Sequence, residues 1–71
     1  MTNLTFQIQN FEYIELNKLL KIMNLVESGG EANTIIENGE VKVNDVLETQ
    51  KRKKLRPGDK VEFQDVRIEL S

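Results

Sequence analysis

The sequence predicts an α+β fold in which an N-terminal strand precedes two short packed helices and a small, mostly antiparallel sheet. Three stretches of apolar spacing carry that reading. Leu4, Phe6 and Ile8 alternate with Thr5, Gln7 and Gln9, Leu16 to Met23 runs at helical spacing, and alternation returns from Val41 onward. With 71 residues there is room for a single domain, residues 1–71, around one small core.

The first alternating stretch has the period of a half-buried strand. Leu16, Leu19, Leu20 and Met23 then follow the i, i+3, i+4, i+7 spacing of one helical stripe, with Lys18 and Lys21 on the polar side. Asn24 can end this helix in a left-handed conformation, folding Leu25 and Val26 back over the last turn. Ser28 followed by Glu31 has the spacing of a capping box, so a second helix of about three turns starts there. Ala32, Ile35 and Ile36 supply its buried face, and Gly39 stands where a helix end needs positive φ. Val41 and Val43, a turn at Asn44-Asp45, and Val46-Leu47 read as a hairpin. The proline and glycine of Arg56-Pro57-Gly58-Asp59 suit the central positions of a type II turn. Val61 and Phe63, then Val66, Ile68 and Leu70 across Gln64-Asp65, form a last hairpin with one apolar face. Neither helix is long enough to be stable alone, so each buries its stripe against the sheet.

Composition excludes several kinds of function. The chain has no cysteine and no histidine, which removes disulfides, the usual zinc sites and the common nucleophile–base pairs. No metal or cofactor is expected, and no reaction. The first residues lack a basic cluster followed by an apolar run, and no segment approaches membrane-spanning length, so the cytoplasm is the expected location.

A formal charge of −2 argues at first against a polyanionic partner. The charge is segregated, however. Residues 1–40 hold two basic and six acidic side chains, whereas Lys42 to Lys60 holds seven basic and three acidic. Lys51, Arg52, Lys53, Lys54 and Arg56 place five cations within six positions. Such a run repels itself unless phosphates or a solvated surface compensate it. Lys42 alternates with the inward Val41 and Val43, so its ammonium faces the other side of the sheet, either extending a basic surface or simply solubilising a strand.

The ordered set Leu16, Leu19/Leu20, Leu25, Ser28, Ala32, Ile36, Gly39, Val41, Val43, Asn44, Leu55, Pro57, Gly58, Asp59 and Val61 resembles the RNA-binding domain named after protein S-four of the small ribosomal subunit, the alpha-L RNA-binding motif. The resemblance covers residues 13–63. The Ser28-Gly29-Gly30-x-Ala32 joint, the Val43-Asn44 pair and the basic run before Leu55 are similar to the small stand-alone bacterial members of the YbcJ/YaaA type. It implies contact with structured RNA, often ribosomal RNA or RNA in ribosome assembly, along the second helix, the following hairpin and the loop beyond, and a monomeric binding module is the leading expectation. On this sequence those elements offer Lys42, Asn44, Lys51, Arg52, Lys53, Lys54 and Arg56, with Lys18 and Lys21 beside them. Asn33 stands where relatives are often basic, and Asp45 where many longer members have glycine; both departures imply either lower affinity or contact shifted toward the basic loop.

Other residues read more plainly as structure. Ser28 and Glu31 could be drawn as a catalytic pair, but no base is available to activate the hydroxyl, and capping explains both. Gly29 and Gly30 lack the lysine–serine partner of a phosphate-binding loop. Phe6 and Phe63 belong to apolar strand faces. Tyr13 either packs with its hydroxyl at the surface or stacks on an unpaired base. Asn44 can read RNA edges, yet at a hairpin tip it is as often structural. Glu12 and Glu15 show no sign of general acid work. The rival to RNA binding is a protein-interaction adaptor whose basic loop engages an acidic partner.

Overall fold

A computed structural model describes residues 2–8 and 12–71. In chain order the elements are β1 (Thr2–Phe6), β2 (Ile14–Glu15), α1 (Leu16–Ile22), α2 (Gly29–Glu37), β3 (Val41–Val43), β4 (Val46–Leu47), β5 (Lys54–Leu55), β6 (Lys60–Phe63) and β7 (Val66–Leu70). The main sheet has the order β1-β7-β6-β3-β4, and β2 pairs with β5 as a separate two-stranded ribbon. The α+β class is as the sequence predicts. The pairing adds one feature: β1 lies parallel to β7, Thr2 opposite Val66 through Phe6 opposite Leu70, while every other pairing among the described residues is antiparallel. Gln9, the last polar position of the strand pattern, lies outside the described residues.

The core forms between the helices and one sheet face. Leu16, Leu19, Leu20, Ala32 and Ile36 are fully buried with Val41, Leu55 and Val61, and Val43, Phe63, Ile68 and Leu70 complete the layer. Each large aliphatic side chain withdrawn this way is worth about 1.5–3 kcal/mol. Phe6, Ile35 and Met23 reach the cluster only with part of their surface. Phe6 is thus a flank of the core rather than its centre.

Both helices end by the same device. Asn24 takes φ 59, its N–H donates to the Lys21 carbonyl, and the Leu25 N–H donates to the Leu20 carbonyl. Gly39 takes φ 76 and repeats the pattern, with Gly39 donating to Ile36 and Glu40 to Ile35. These are Schellman closures, which satisfy carbonyls that the helix leaves open. At the start of α2 the Ser28 Oγ accepts from the Glu31 N–H at 3.1 Å. Glu31 reaches one residue further back than a capping box requires and accepts from the Glu27 N–H. Asn44 and Asp45 both have positive φ, 52 and 68, which identifies a type I′ hairpin whose twist suits the flanking strands.

Candidate nucleic-acid interface

The start of α1 has no side-chain cap: Glu15 occupies the N-cap position and makes no capping bond. Free N–H groups at a helix start need acceptors. They find them in the basic loop, where the Lys53 carbonyl accepts from Leu16 at 2.9 Å and the Lys51 carbonyl from Asn17 at 3.0 Å. The β2–β5 ribbon continues this attachment by setting Ile14 opposite Leu55 and Glu15 opposite Lys54. The loop therefore uses its backbone to close the first helix, and its side chains are left for the surface. Leu55, fully buried, anchors its far end.

The cations are unevenly matched. Lys51 approaches Glu37, at the end of α2, to 4.0 Å, with both side chains about half exposed. Such a pair is worth a few tenths of a kcal/mol at most, roughly the lower end for exposed pairs. Lys54 Nζ stands 5.0 Å from the centroid of the Tyr13 ring, a cation–π contact worth about 0.5–1 kcal/mol at an exposed site. Lys18 lies 3.7 Å from Glu15, the residue paired with Lys54 across the ribbon, so Lys18 joins the loop's surroundings. Among the described residues no carboxylate comes within ion-pair reach of Arg52, Lys53, Arg56 or Lys21. Lys21 follows Lys18 by one helical turn and is exposed.

Two expected members stand apart from the loop's cations in their surroundings, Lys42 on the outer sheet face and Asn44 at the hairpin tip. Lys42 projects from the sheet face opposite Val41 and Val43, away from the helices, and stands across from Glu62 in the strand register. That face neutralises itself: Arg67 holds Glu62 through two hydrogen bonds, of 2.7 and 3.2 Å. The Arg67 hydrogen bonds hold the Glu62 carboxyl below the ordinary carboxylate value, and Glu62 in turn raises Arg67. Asn44 is exposed at the hairpin tip, but its side chain is tied up by neighbours. Its Oδ1 accepts from the Lys60 N–H and its Nδ2 donates to Asp59 Oδ1, both at 3.0 Å. Asp59 also accepts from the Arg56 N–H at 2.8 Å, so one carboxylate joins the Pro57-Gly58 turn to the hairpin tip.

Asn17 was not anticipated as part of this region. Its Nδ2 donates to Asn33 Oδ1 at 3.1 Å, linking the two helices beside the loop, and its Oδ1 accepts from the Lys18 N–H. The polar face of α1 carries the only sequence signal for it, since Asn17 precedes Lys18 at the position where a helix start needs help. In net terms the molecule remains acidic, but its extents of 28 × 23 × 21 Å exceed the roughly 8–10 Å over which exposed charges act in ordinary salt. The cationic loop accordingly presents its own field.

The chain, with its helix pair on a sheet, belongs to the S4 domain family, whose model matches residues 6–71. Its relatives are small bacterial proteins of similar length. The chain is 41% identical over 59 residues to YbcJ of Escherichia coli (strain K12), a protein provisionally named as RNA-binding, covering 83% of this chain and 84% of YbcJ. It is 38% identical over 53 residues to RlbA of Bacillus subtilis (strain 168), provisionally named for ribosome maturation, with 75% of each chain covered. The solution structure of Escherichia coli YbcJ superposes with a TM-score of 0.68 at 37% identity, covering 92% of this chain and 85% of that one; it is described as revealing an alfaL motif involved in RNA binding. Among the described residues, no helix is long and apolar enough to cross a membrane.

Proposed function

We propose that this chain is a monomeric RNA-binding module without a reaction of its own, acting as one domain whose motif spans residues 13–63. Its ligand is structured RNA, with ribosomal RNA or RNA in ribosome assembly the class suggested by its relatives, met in the cytoplasm. The observation that supports this most is the use of the loop's backbone. Carbonyls of Lys51 and Lys53 are bound to α1, which holds the loop in place while the side chains of Lys51, Arg52, Lys53, Lys54 and Arg56 stay available for phosphates. Lys18 and Lys21 extend this surface along α1. The proposal leaves out Asn44, whose side chain is held by Lys60 and Asp59, and Lys42, which stands on the outer sheet face across from Glu62.

An adaptor that binds an acidic protein would use the same loop, but nothing specific favours it. Titration of a hairpin RNA against the wild type and a Lys51→Ala/Arg52→Ala/Lys53→Ala/Lys54→Ala variant, at two salt concentrations, tests the proposal. The wild type should bind with a salt dependence that the variant largely loses. Equal affinities for the two proteins would rule out the loop as the RNA surface.

A further inference from the structure

Beside the loop lies a groove of about 440 Å³ lined by Phe6, Ile8, Tyr13, Ile14 and Ile22, with Glu12, Glu15 and Lys18 among its polar walls. Its walls are mainly apolar, yet it opens beside the most cationic part of the chain. Tyr13 and Ile22 are exposed large side chains, 37% and 55% accessible. Soluble proteins expose such side chains singly without consequence, but an aromatic and an aliphatic lining one groove invite a flat apolar ligand.

We propose that this groove receives an unpaired nucleobase of the RNA, with Tyr13 as its stacking platform; this rests on the RNA-binding reading above. Charge identifies the occupant. Lys54 belongs to the loop and stands over the Tyr13 ring, and Lys18 belongs to the groove and neighbours the ribbon that holds Lys54. A strand whose phosphates follow these two cations carries its bases past Tyr13. Glu15 is offset by Lys18, and Glu12 has no cation partner among the described residues. The groove therefore disfavours a phosphate at its acidic end and admits an uncharged ring. Nucleobases stack on aromatic side chains whatever their identity, so the groove selects unpaired structure rather than sequence. The loop alone, reading phosphates, does not distinguish a duplex from a hairpin.

The test uses the full chain and two probes: a blunt RNA duplex, and a hairpin of the same stem closed by an unpaired loop containing a fluorescent adenine analogue. Wild-type protein should prefer the hairpin and quench the analogue. Tyr13→Ala should lower hairpin affinity about 5- to 100-fold, while duplex affinity stays within about 2-fold and Tyr13→Phe stays near wild type. Ile22→Ala, at a more exposed wall, should weaken the hairpin preference without disturbing the fold. Equal weakening of both probes by Tyr13→Ala, or unquenched fluorescence in the saturated wild-type complex, overturns the groove assignment. If duplex binding survives in either case, the RNA-binding reading stands without it. Wild-type protein that binds neither probe removes both. A groove built for an apolar peptide would leave hairpin preference untouched by Tyr13→Ala, and that result also refutes the proposal.

Discussion

The outer sheet face and the loop of residues 51–56 are both rich in charge, and they differ in where the partners are. On the sheet, Lys42 faces Glu62, Lys60 faces Glu69, and Arg67 closes on Glu62 at 2.7 Å. Of these only Arg67 closes an ion pair; Lys42 and Lys60 stand opposite carboxylates in the register without coming within ion-pair reach among the described residues, an arrangement that opposite charges across strands favour. In the loop the backbone is bound, Lys51 touches Glu37 and Lys54 lies over Tyr13 opposite Glu15, while Arg52, Lys53 and Arg56 have no carboxylate within ion-pair reach among the described residues. Charge density alone does not separate the two regions. Opposed carboxylates do: every cation of the sheet face stands across from one, whereas Arg52, Lys53 and Arg56 have none near, and a cation without a carboxylate gains more from a phosphate.

Removing each set should therefore have opposite consequences. The loop quadruple alanine variant should lose RNA affinity by about 100-fold or more at low salt and lower the salt slope by roughly three to four. Its melting temperature should fall by only a few degrees, from the lost Lys54–Tyr13 and Lys51–Glu37 contacts, since the bonds to Leu16 and Asn17 are made by carbonyls that alanine also carries. A large drop in melting temperature would show instead that the side chains hold the loop. On the other side of the comparison, Asn44→Ala should destabilise by about 1–3 kcal/mol, from two lost hydrogen bonds and a left-handed φ that alanine resists. Asn44→Gly should cost less, because glycine accepts φ 52. RNA affinity of the folded Asn44 variants should match wild type, and a loss there would return Asn44 to the interface.

How much of this was legible in the sequence follows from how local each signal is. The helices, their ends at Asn24 and Gly39, and the Ser28 cap are set within a few residues, and each stands where its spacing predicts. The Asn44-Asp45 turn was legible as a turn, and its type only from two positive φ values. The parallel partnership of β1 with β7 joins the two ends of the chain, and no local pattern encodes it. The docking of the basic loop was hidden for a different reason. Its bonds come from backbone carbonyls, which have no side-chain signature, and the one available hint was Glu15, a poor N-cap, at the start of α1. Alternation put Lys42 on the correct sheet face. It could not show that the loop attaches to the helices on the other side.

The matched face should also respond to acid. Glu62 has a lowered folded pKa, through its hydrogen bonds with Arg67, so its contribution to stability is present above the unfolded carboxylate range and is lost as pH falls through the folded value. The raised Arg67 contributes below its own ordinary range, hence at every pH where the protein is handled, and supplies no alkaline transition there. Wild type should exceed Glu62→Gln in melting temperature near neutrality, and the difference should shrink as pH falls below the ordinary carboxylate range. A gap that stays constant with pH would mean the carboxylate charge is not what Arg67 stabilises. RNA affinity at neutral pH should be the same for both proteins.

The smallest expected effect probes the boundary between matched and unmatched cations. Lys51 has a carboxylate, Glu37, but at 4.0 Å and with both groups exposed. A phosphate approaching Lys51 must displace or share that contact, so Glu37 acts as a weak internal competitor. Glu37→Gln should raise RNA affinity by up to about 2-fold, the scale of a screened surface pair, and the gain should fade as salt is added. It should not lower stability, because a negative charge at the C-terminal end of α2 opposes the helix dipole and its removal offsets the lost pair. Glu40→Gln is the control, since Glu40 forms no ion pair among the described residues. An equal gain from both substitutions would reduce the effect to net charge, whereas a gain confined to Glu37 places phosphate at Lys51 itself.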